Sequence, residues 1–313
     1  MNINTLCTNK DLLRMDSLSK DEILDILNLA DQLKYEKKHG IEHHLLKGKS
    51  LGMIFEKSST RTRVSFEVGM YELGGNPLFL SSKDLQIGRG EPIQDTARVL
   101  SRYLDGLMIR TFSQDDVETL AKYSSIPIIN GLTDDEHPCQ VLADLMTIRE
   151  KKLILEGLKV AFIGDGNNMC NSLLVGCLKL GMHISIANPE GYKPPEYYIN
   201  KGYELADLKG LTFEMTTDPK VAVKNADVVI TDVWASMGQE EEFEKRINDF
   251  AGYQVNNELI SLANTDALVL HCLPAHREEE ISTEVLEAHA DEIFEEAENR
   301  LHAQKAILVK LMS

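Results

Sequence analysis

The feature that most constrains the fold is an alternation of short apolar runs with amphipathic segments, repeated in both halves of the chain. In the first half, strand-like runs fall at 51–55, 77–81, 106–110 and 126–129. Helix-like segments fall at 64–73, 91–102, 115–123 and 138–150. In the second half, strand-like runs fall at 159–163, 183–187, 211–215, 227–232 and 267–271, with helical segments between them. Strands alternating with helices build parallel sheets covered by those helices. The expected fold is α/β, with two domains, each a parallel sheet flanked by helices. A length of 313 residues agrees with two domains. No short-period repeat is present, so the halves repeat an architecture and not a sequence.

The charged break Arg149-Glu-Lys-Lys152 precedes the run Lys159–Ile163 and sets a boundary, giving domains 1–148 and 149–290. Near the start, Ser19 and Glu22 form a capping-box pattern that opens a helix ending at Gly40. At the end, residues 291–313 read as a segment apart, one long helix with Ile293, Ala297, Arg300/Leu301, Gln304 and Leu308 on its inward stripe. Spacing alone leaves Arg300 open between a snorkelling rim arginine and one aimed at an interdomain cleft.

The stretch Ser58-Ser-Thr-Arg-Thr-Arg63 lies between the apolar run 51–55 and the helical segment 64–73. A strand-to-helix turn already offers free backbone N–H groups and a helix dipole to an anion. Guanidiniums add two-pronged recognition of phosphate oxygens. The chain as a whole carries a net charge of −17, so this basic turn is a local exception. The same acidity argues against nucleic-acid binding, which leaves a basic footprint. The first ten residues lack the apolar segment of a signal peptide, and no run reaches the length of a membrane span. Five irregularly spaced cysteines suggest free thiols. A cytoplasmic enzyme is the expected class.

Other polar clusters follow strand-like runs, where parallel sheets place ligands. Arg110 closes one run, and His137-Pro-Cys-Gln140 opens a helix, although His-Pro taken alone is more often a cap than a catalyst. Gly164-Asp-Gly-Asn-Asn168 suggests a dinucleotide turn, but the fingerprint fails: Met stands at 169, and Asn188 stands where a ribose reader would carry an acid. Asp232-Val-Trp-Ala-Ser-Met-Gly238 puts a carboxylate at a strand end, suited to a cationic group. His271-Cys-Leu-Pro274 suggests a thiolate, a zinc ligand or an unusual turn; zinc is poorly supported for want of a fourth ligand at useful spacing.

Together these motifs, with Asp84-Leu-Gln-Ile-Gly88, Asp95–Leu100 and Phe294–Lys305, resemble the aspartate/ornithine carbamoyltransferase family, and its ornithine-specific anabolic branch most closely. The resemblance covers essentially the whole chain. It implies a carbamoyl phosphate-binding first domain, an ornithine-binding second domain and a C-terminal helix, 291–313, that packs back toward the first domain. Ser59, Thr60, Arg61 and Thr62 match the phosphate loop. Arg110, His137 and Gln140 match groups on the carbamoyl oxygen and amide. Gln86 matches a residue donated by a neighbouring subunit, which implies a homotrimer with shared sites. Cys272 and Leu273 match the turn whose carbonyl holds the carbamoyl NH2, and Arg300 matches a further ligand of that substrate. Asn168, Asp232, Ser236 and Met237 match the ornithine site.

The implied reaction is attack of ornithine's δ-amine on the carbamoyl carbon with departure of phosphate, giving citrulline for arginine biosynthesis. It needs no redox cofactor and no metal. Arg61, Arg110, His137, Asp232 and Cys272 are the expected catalytic groups, with Asp232 and Cys272 both candidates for the amine's proton. An aspartate-specific relative would want Arg or Lys where Asp232 stands. A putrescine carbamoyltransferase is a closer rival, but putrescine lacks the carboxylate that the Ser-Met-Gly loop would close on. A non-catalytic metabolite-binding relative would have lost some of Arg61, Arg110, His137, Gln140, Cys272 and Arg300, and all are present.

Overall fold

A computed structural model describes residues 9–87, 90–235 and 242–313. The chain divides into two compact units, one of residues 1–143 with 300–313 and one of residues 144–299.

The first unit holds a four-stranded, wholly parallel sheet. Its strands are β1 (Ser50–Phe55), β2 (Asn76–Ser81), β3 (Gly106–Arg110) and β4 (Ile128–Leu132), in the order β2-β1-β3-β4. The central strands β1 and β3 are buried almost throughout, as expected of strands covered on both faces. Ile54, Leu107 and Ile109 pack with Val117, Leu120 and Ile128 to form the core. Strand β2 lies at an edge and leaves Leu78 and Phe79 exposed. The fourth strand begins two residues later than its apolar run suggested. Pro127 has no N–H to give, and the Ile128 N–H goes to the Asp11 carboxylate (2.8 Å).

Helix α1 (Lys20–Lys38) opens with the full capping box: Ser19 accepts from the Glu22 N–H, and the Glu22 carboxylate accepts from the Ser19 N–H. Helix α2 spans Thr60–Glu72, four residues earlier than expected, so the hydroxyl- and arginine-rich stretch is its first turn. The connections continue through α3 (Ile93–Leu100), α4 (Gln114–Tyr123) and α5 (Pro138–Lys152).

The second unit holds a five-stranded parallel sheet of β5 (Lys159–Ile163), β6 (His183–Ala187), β7 (Phe213–Thr216), β8 (Val228–Thr231) and β9 (Leu268–His271), ordered β7-β6-β5-β8-β9. Helices α6 (Asn168–Lys179), α7 (Glu196–Lys209), α8 (Pro219–Val223), α9 (Phe243–Asp249), α10 (Asn257–Ile260) and α11 (Thr283–Ala288) connect or flank the strands. Trp234, Phe250 and Tyr253 pack with Ile163, Val229 and Val269 in its core.

Helix α12 (Ala290–Met312) closes the chain. Its residues 300–312 belong to the first unit, where Lys310 reaches Asp25 of α1 (3.4 Å). Residues 302–309 are buried on every side, so this part of the helix is enclosed, where the sequence suggested only an inward stripe. Among the described residues no helix is long and apolar enough to cross a membrane.

In each sheet the strand order reverses beside the strand that comes first in the chain. Crossovers leave β1 and β3 in opposite directions in one sheet, and β5 and β8 in the other. At such a point the loops leaving the strands' carboxyl ends diverge and open a crevice for a ligand. The clusters at Ser58–Arg63, Arg110, Gly164–Asn168 and Asp232 follow these four strands, and those at His137 and His271 follow the adjoining strands β4 and β9.

Candidate active site

In the first unit, β1 delivers its chain to Ser59, the N-cap of α2. The Ser59 hydroxyl accepts the Thr62 N–H (3.2 Å) and lies 3.1 Å from the Thr62 hydroxyl. Thr60 is exposed, Arg61 half-buried and Thr62 fully buried. Arg300, 4% exposed, reaches across from α12 and donates to the Thr62 hydroxyl oxygen at 2.8 Å. The helical reading of Arg300 as an inward residue is thus the one realised. Next to β1, β3 ends at Arg110, whose side chain is buried and whose carbonyl accepts the Glu56 N–H (2.9 Å).

His137 sits just ahead of α5, and its carbonyl accepts the Gln140 N–H (3.1 Å). Pro138 at the first helical position leaves no N–H unsatisfied there. The His137 loop is held by a reciprocal pair: the Thr133 N–H donates to the Glu136 carbonyl (2.9 Å), and the Glu136 N–H donates to the Thr133 hydroxyl (3.0 Å). His137 and Gln140 are both buried. Burial, and then the charges of Arg300, Arg110 and Arg61, hold the His137 imidazole well below the ordinary histidine pKa. It is therefore neutral, with one N–H to donate and no fourth positive charge to add. Three guanidiniums around a neutral imidazole at a helix start can hold an anion.

Lys57 was not singled out by sequence reasoning. It is buried, pairs with Asp134 and lies 4.3 Å from the centre of the Phe112 ring. It thereby ties the β1–α2 turn to the loop that carries His137. Its place inside Phe55–Arg63 was the only signal for it. Gln86 is exposed, in the loop after β2.

In the second unit, β5 is followed by Gly164, with φ +142°, and a Cβ on Gly166 would meet the Pro194 nitrogen at 2.2 Å. Asn188 donates to the Gly164 carbonyl (2.7 Å), so it braces this turn. Asn167 is the N-cap of α6 and accepts the Met169 and Cys170 N–H groups. Its amide also donates to the Asp232 carboxylate at 2.9 Å. The sequence pointed to Asn168, which lies half-buried at the first position of α6; the contact to Asp232 comes from its neighbour.

Asp232 follows β8 and is 7% exposed. Besides Asn167, it accepts a hydrogen bond from the Cys272 thiol, with Sγ 2.9 Å from Oδ1. Burial first, and then the Asp232 charge and this bond, push the Cys272 thiol well above the ordinary cysteine pKa. Cys272 is a protonated donor near neutral pH and not a thiolate nucleophile. Leu273, next in the turn, has a left-handed φ of +55°. Ser236 and Met237 lie outside the described residues.

Asp232, His271 and Cys272 offer ligand atoms within 4.8 Å of one another. However, the His271 Nδ1 already accepts the Leu273 N–H (2.9 Å), and its Nε2 lies 2.9 Å from Glu280. A metal there would have to displace those contacts and deprotonate the thiol.

Residues 10–150 match the family model described as aspartate/ornithine carbamoyltransferase, carbamoyl-P binding domain. Residues 156–311 match the one described as Asp/Orn binding domain. The chain is 57% identical over 304 residues to an ornithine carbamoyltransferase of Oceanobacillus iheyensis, covering 97% of this chain and 94% of the relative. Among solved structures, the ornithine carbamoyltransferase of Pyrococcus furiosus aligns with a TM-score of 0.93 at 52% identity, over 96% of each chain. The anabolic enzyme of Campylobacter jejuni aligns with a TM-score of 0.92 at 48% identity, over 97% of this chain and 99% of that one. The chain belongs to the aspartate/ornithine carbamoyltransferase family.

Proposed function

We propose that this protein transfers the carbamoyl group of carbamoyl phosphate to the δ-amine of L-ornithine, releasing L-citrulline and phosphate. The observation that carries the reading is the contrast in charge between two sites at the ends of parallel strands. Arg61, Arg110 and Arg300 act on a buried neutral His137, whereas Asp232 is a buried carboxylate held by Asn167 and Cys272. The first suits a phosphate with an attached carbonyl, and the second suits an amine.

In this assignment residues 1–148 serve carbamoyl phosphate, 149–290 serve ornithine, and 291–313 return Arg300 to the first substrate. Ser59, Thr60, Arg61 and Thr62 hold the phosphate. Arg110, His137 and Gln140 hold the carbamoyl oxygen and amide, and the Leu273 carbonyl takes the carbamoyl NH2. Asn168, Ser236 and Met237 hold the amino-acid head of ornithine.

The amine lone pair forms a C–N bond to the carbamoyl carbon, and the carbonyl electrons move onto oxygen. That oxyanion collapses as the C–O bond to phosphate breaks, and the second proton of the attacking nitrogen passes to the departing phosphate, which leaves as hydrogen phosphate. Fixed donors aimed at the oxyanion and the leaving phosphate stabilise charge as it develops, each contributing about 3–4 kcal/mol. The δ-ammonium, with a solution pKa resembling that of lysine, about 10.4, must first lose a proton. Because the Cys272 thiol is already protonated, Asp232 is the acceptor, and the thiol's hydrogen bond steadies its carboxylate.

Gln86, exposed beyond the edge strand β2, is the residue we assign to a neighbouring subunit in a homotrimer. The exposed Leu78 and Phe79 on that strand support a partner surface there, and sedimentation velocity tests it. A cytoplasmic, anabolic role in arginine biosynthesis completes the reading; the anabolic Campylobacter jejuni enzyme is among the similar structures.

The test is a side-by-side assay of purified protein with carbamoyl phosphate plus ornithine or putrescine. Citrulline formation, with little carbamoylputrescine, is the expected result. Turnover of putrescine without citrulline would overturn the substrate assignment.

A further inference from the structure

Resting on the assignment of Arg300 to the first substrate, a buried charge cluster farther along α12 bears on how that arginine is aimed. Lys305 lies five residues beyond Arg300, about 7.5 Å along the helix. Its side chain is fully buried, which a lysine tolerates only when paired. Two partners meet the ammonium: Glu72, the last residue of α2, at 2.7 Å, and His43 Nε2 at 2.6 Å. From α1, Lys37 pairs with the same Glu72, and Glu36 lies 2.8 Å from His43 Nδ1. On the loop of His43 itself, His44 and Glu42 pair with each other (3.3 Å).

An ammonium only donates, so His43 Nε2 accepts and carries no proton. The ring's one proton is on Nδ1, facing Glu36, and the imidazole is neutral. Burial, and then the Lys305 charge, lower the His43 pKa from its ordinary value, against the opposite pull of Glu36 and Glu72. A proton added at Nε2 would set two donors and two positive charges against each other. A His43 released from this contact therefore takes up its proton first as pH falls below about 6.5. The contact is intact above that pH and is lost progressively below it.

The same contact fixes α12 lengthwise on α2. Arg300 donates to Thr62 in the first turn of α2, and Lys305 reaches Glu72 in its last. Between these ties the helices touch at Gly69, where a Cβ would meet Lys305 Cγ at 3.2 Å and Leu301 Cδ1 at 3.6 Å. A shift of α12 that frees Lys305 draws Arg300 away from Thr62.

We propose that His43 and Lys305 are positioning residues: neutral His43 holds α12 on α2 through Lys305, so that Arg300 meets the phosphate loop, and acid loosens this hold by protonating His43. Neither residue is among the groups assigned to substrate.

The experiment uses the full-length protein, with inorganic phosphate as the probe. Wild type, His43→Gln and Lys305→Met are compared at pH 7.5 and pH 5.5. Gln keeps an oxygen to accept from Lys305 and takes no proton in this range. Phosphate affinity is measured by titration calorimetry, and hydrogen exchange of residues 300–312 by mass spectrometry. Phosphate changes its own ionisation between these pH values, but that change is common to all three proteins and cancels in their ratios. At pH 7.5, His43→Gln should bind phosphate within about twofold of wild type and protect α12 equally. On going to pH 5.5, wild type should lose about threefold or more affinity beyond the loss in His43→Gln, and its α12 should exchange about threefold or more faster. Lys305→Met, with no ammonium facing a protonated His43, should show no such excess loss.

Equal losses in wild type and His43→Gln would overturn the proposal. So would faster exchange in wild type without the excess loss of phosphate affinity, because α12 would then move without disturbing the site. A His43→Gln already weakened and unprotected at pH 7.5 would overturn it as well, since a neutral acceptor would not have sufficed. If wild type binds no phosphate at either pH, the reading of the cationic site falls, and the exchange comparison still decides whether His43 holds α12.

Discussion

The two sheets use one architecture to build sites of opposite character. Beside β1 and β3 the chain gathers Arg61, Arg110 and Arg300 around a histidine kept neutral by burial and by those charges. Beside β5 and β8 it gathers one carboxylate, Asp232, an amide donor, Asn167, and a thiol kept protonated by burial and by that carboxylate. Both sites start from the same advantage, a parallel strand end facing a helix start. Such an end favours an anion through the helix dipole. The first site amplifies that preference with guanidiniums. The second inverts it, since Asn167 caps α6 with its own oxygen and turns its amide to hold Asp232 in place. Fold alone therefore does not choose the ligand; a few side chains at equivalent places do.

The strongest way to break this comparison is to remove a charge from the cationic site. Arg61→Ala should lower citrulline kcat/KM by about a hundredfold to a thousandfold, the scale expected for one preorganised donor. Far-UV circular dichroism should be unchanged. Retained activity with an unchanged KM for carbamoyl phosphate would remove Arg61 from the phosphate site.

The reverse test acts on the anionic site. Asp232→Asn should lower citrulline kcat, raise the KM for ornithine by about tenfold or more and leave phosphate binding alone, because the amine loses both its proton acceptor and its buried charge partner. It also tests the thiol. The Cys272 pKa stands high partly because Asp232 is negative, so removing that charge stabilises the thiolate and brings the pKa down. Iodoacetamide at pH 8 should then modify Cys272 roughly tenfold faster than in the parent. Slower alkylation would mean that Asp232 does not control the thiol.

Much of this contrast was legible in the sequence, and what was hidden has a physical cause. Arg61, Arg110 and Asp232 all follow apolar runs whose ends are easy to find. The α2 start was harder. Serine and threonine are weak local evidence of helix, yet the Ser59 cap and the buried Thr62 draw Thr60 to Arg63 into the first turn. Asn168 is assigned from the family resemblance, and the bond of its neighbour Asn167 to Asp232 is a further contact that residue type alone does not announce. Lys57–Asp134 and Asn167–Asp232 join residues 77 and 65 positions apart, so no local pattern announces them. His271–Glu280 spans only nine residues, but its meaning depends on which ring nitrogen faces Leu273.

The smallest expected effect sharpens the comparison most evenly, because it applies one kind of change to both sites. Ser59 and Asn167 are N-caps of α2 and α6, and each accepts backbone N–H groups at the mouth of its own site. Replacing either by Ala leaves those donors without their cap and should cost about 1 kcal/mol of stability in urea unfolding. The functional consequences should separate. Ser59→Ala also loses the hydroxyl beside Thr62, and phosphate binding should weaken by about fivefold, the equivalent of roughly 1 kcal/mol. Asn167→Ala frees Asp232 from its amide donor, and the KM for ornithine should rise by a similar factor with phosphate binding intact. If both variants instead weaken phosphate binding equally, the helix starts are supporting one shared ligand, and the division of labour between the two sheets is wrong.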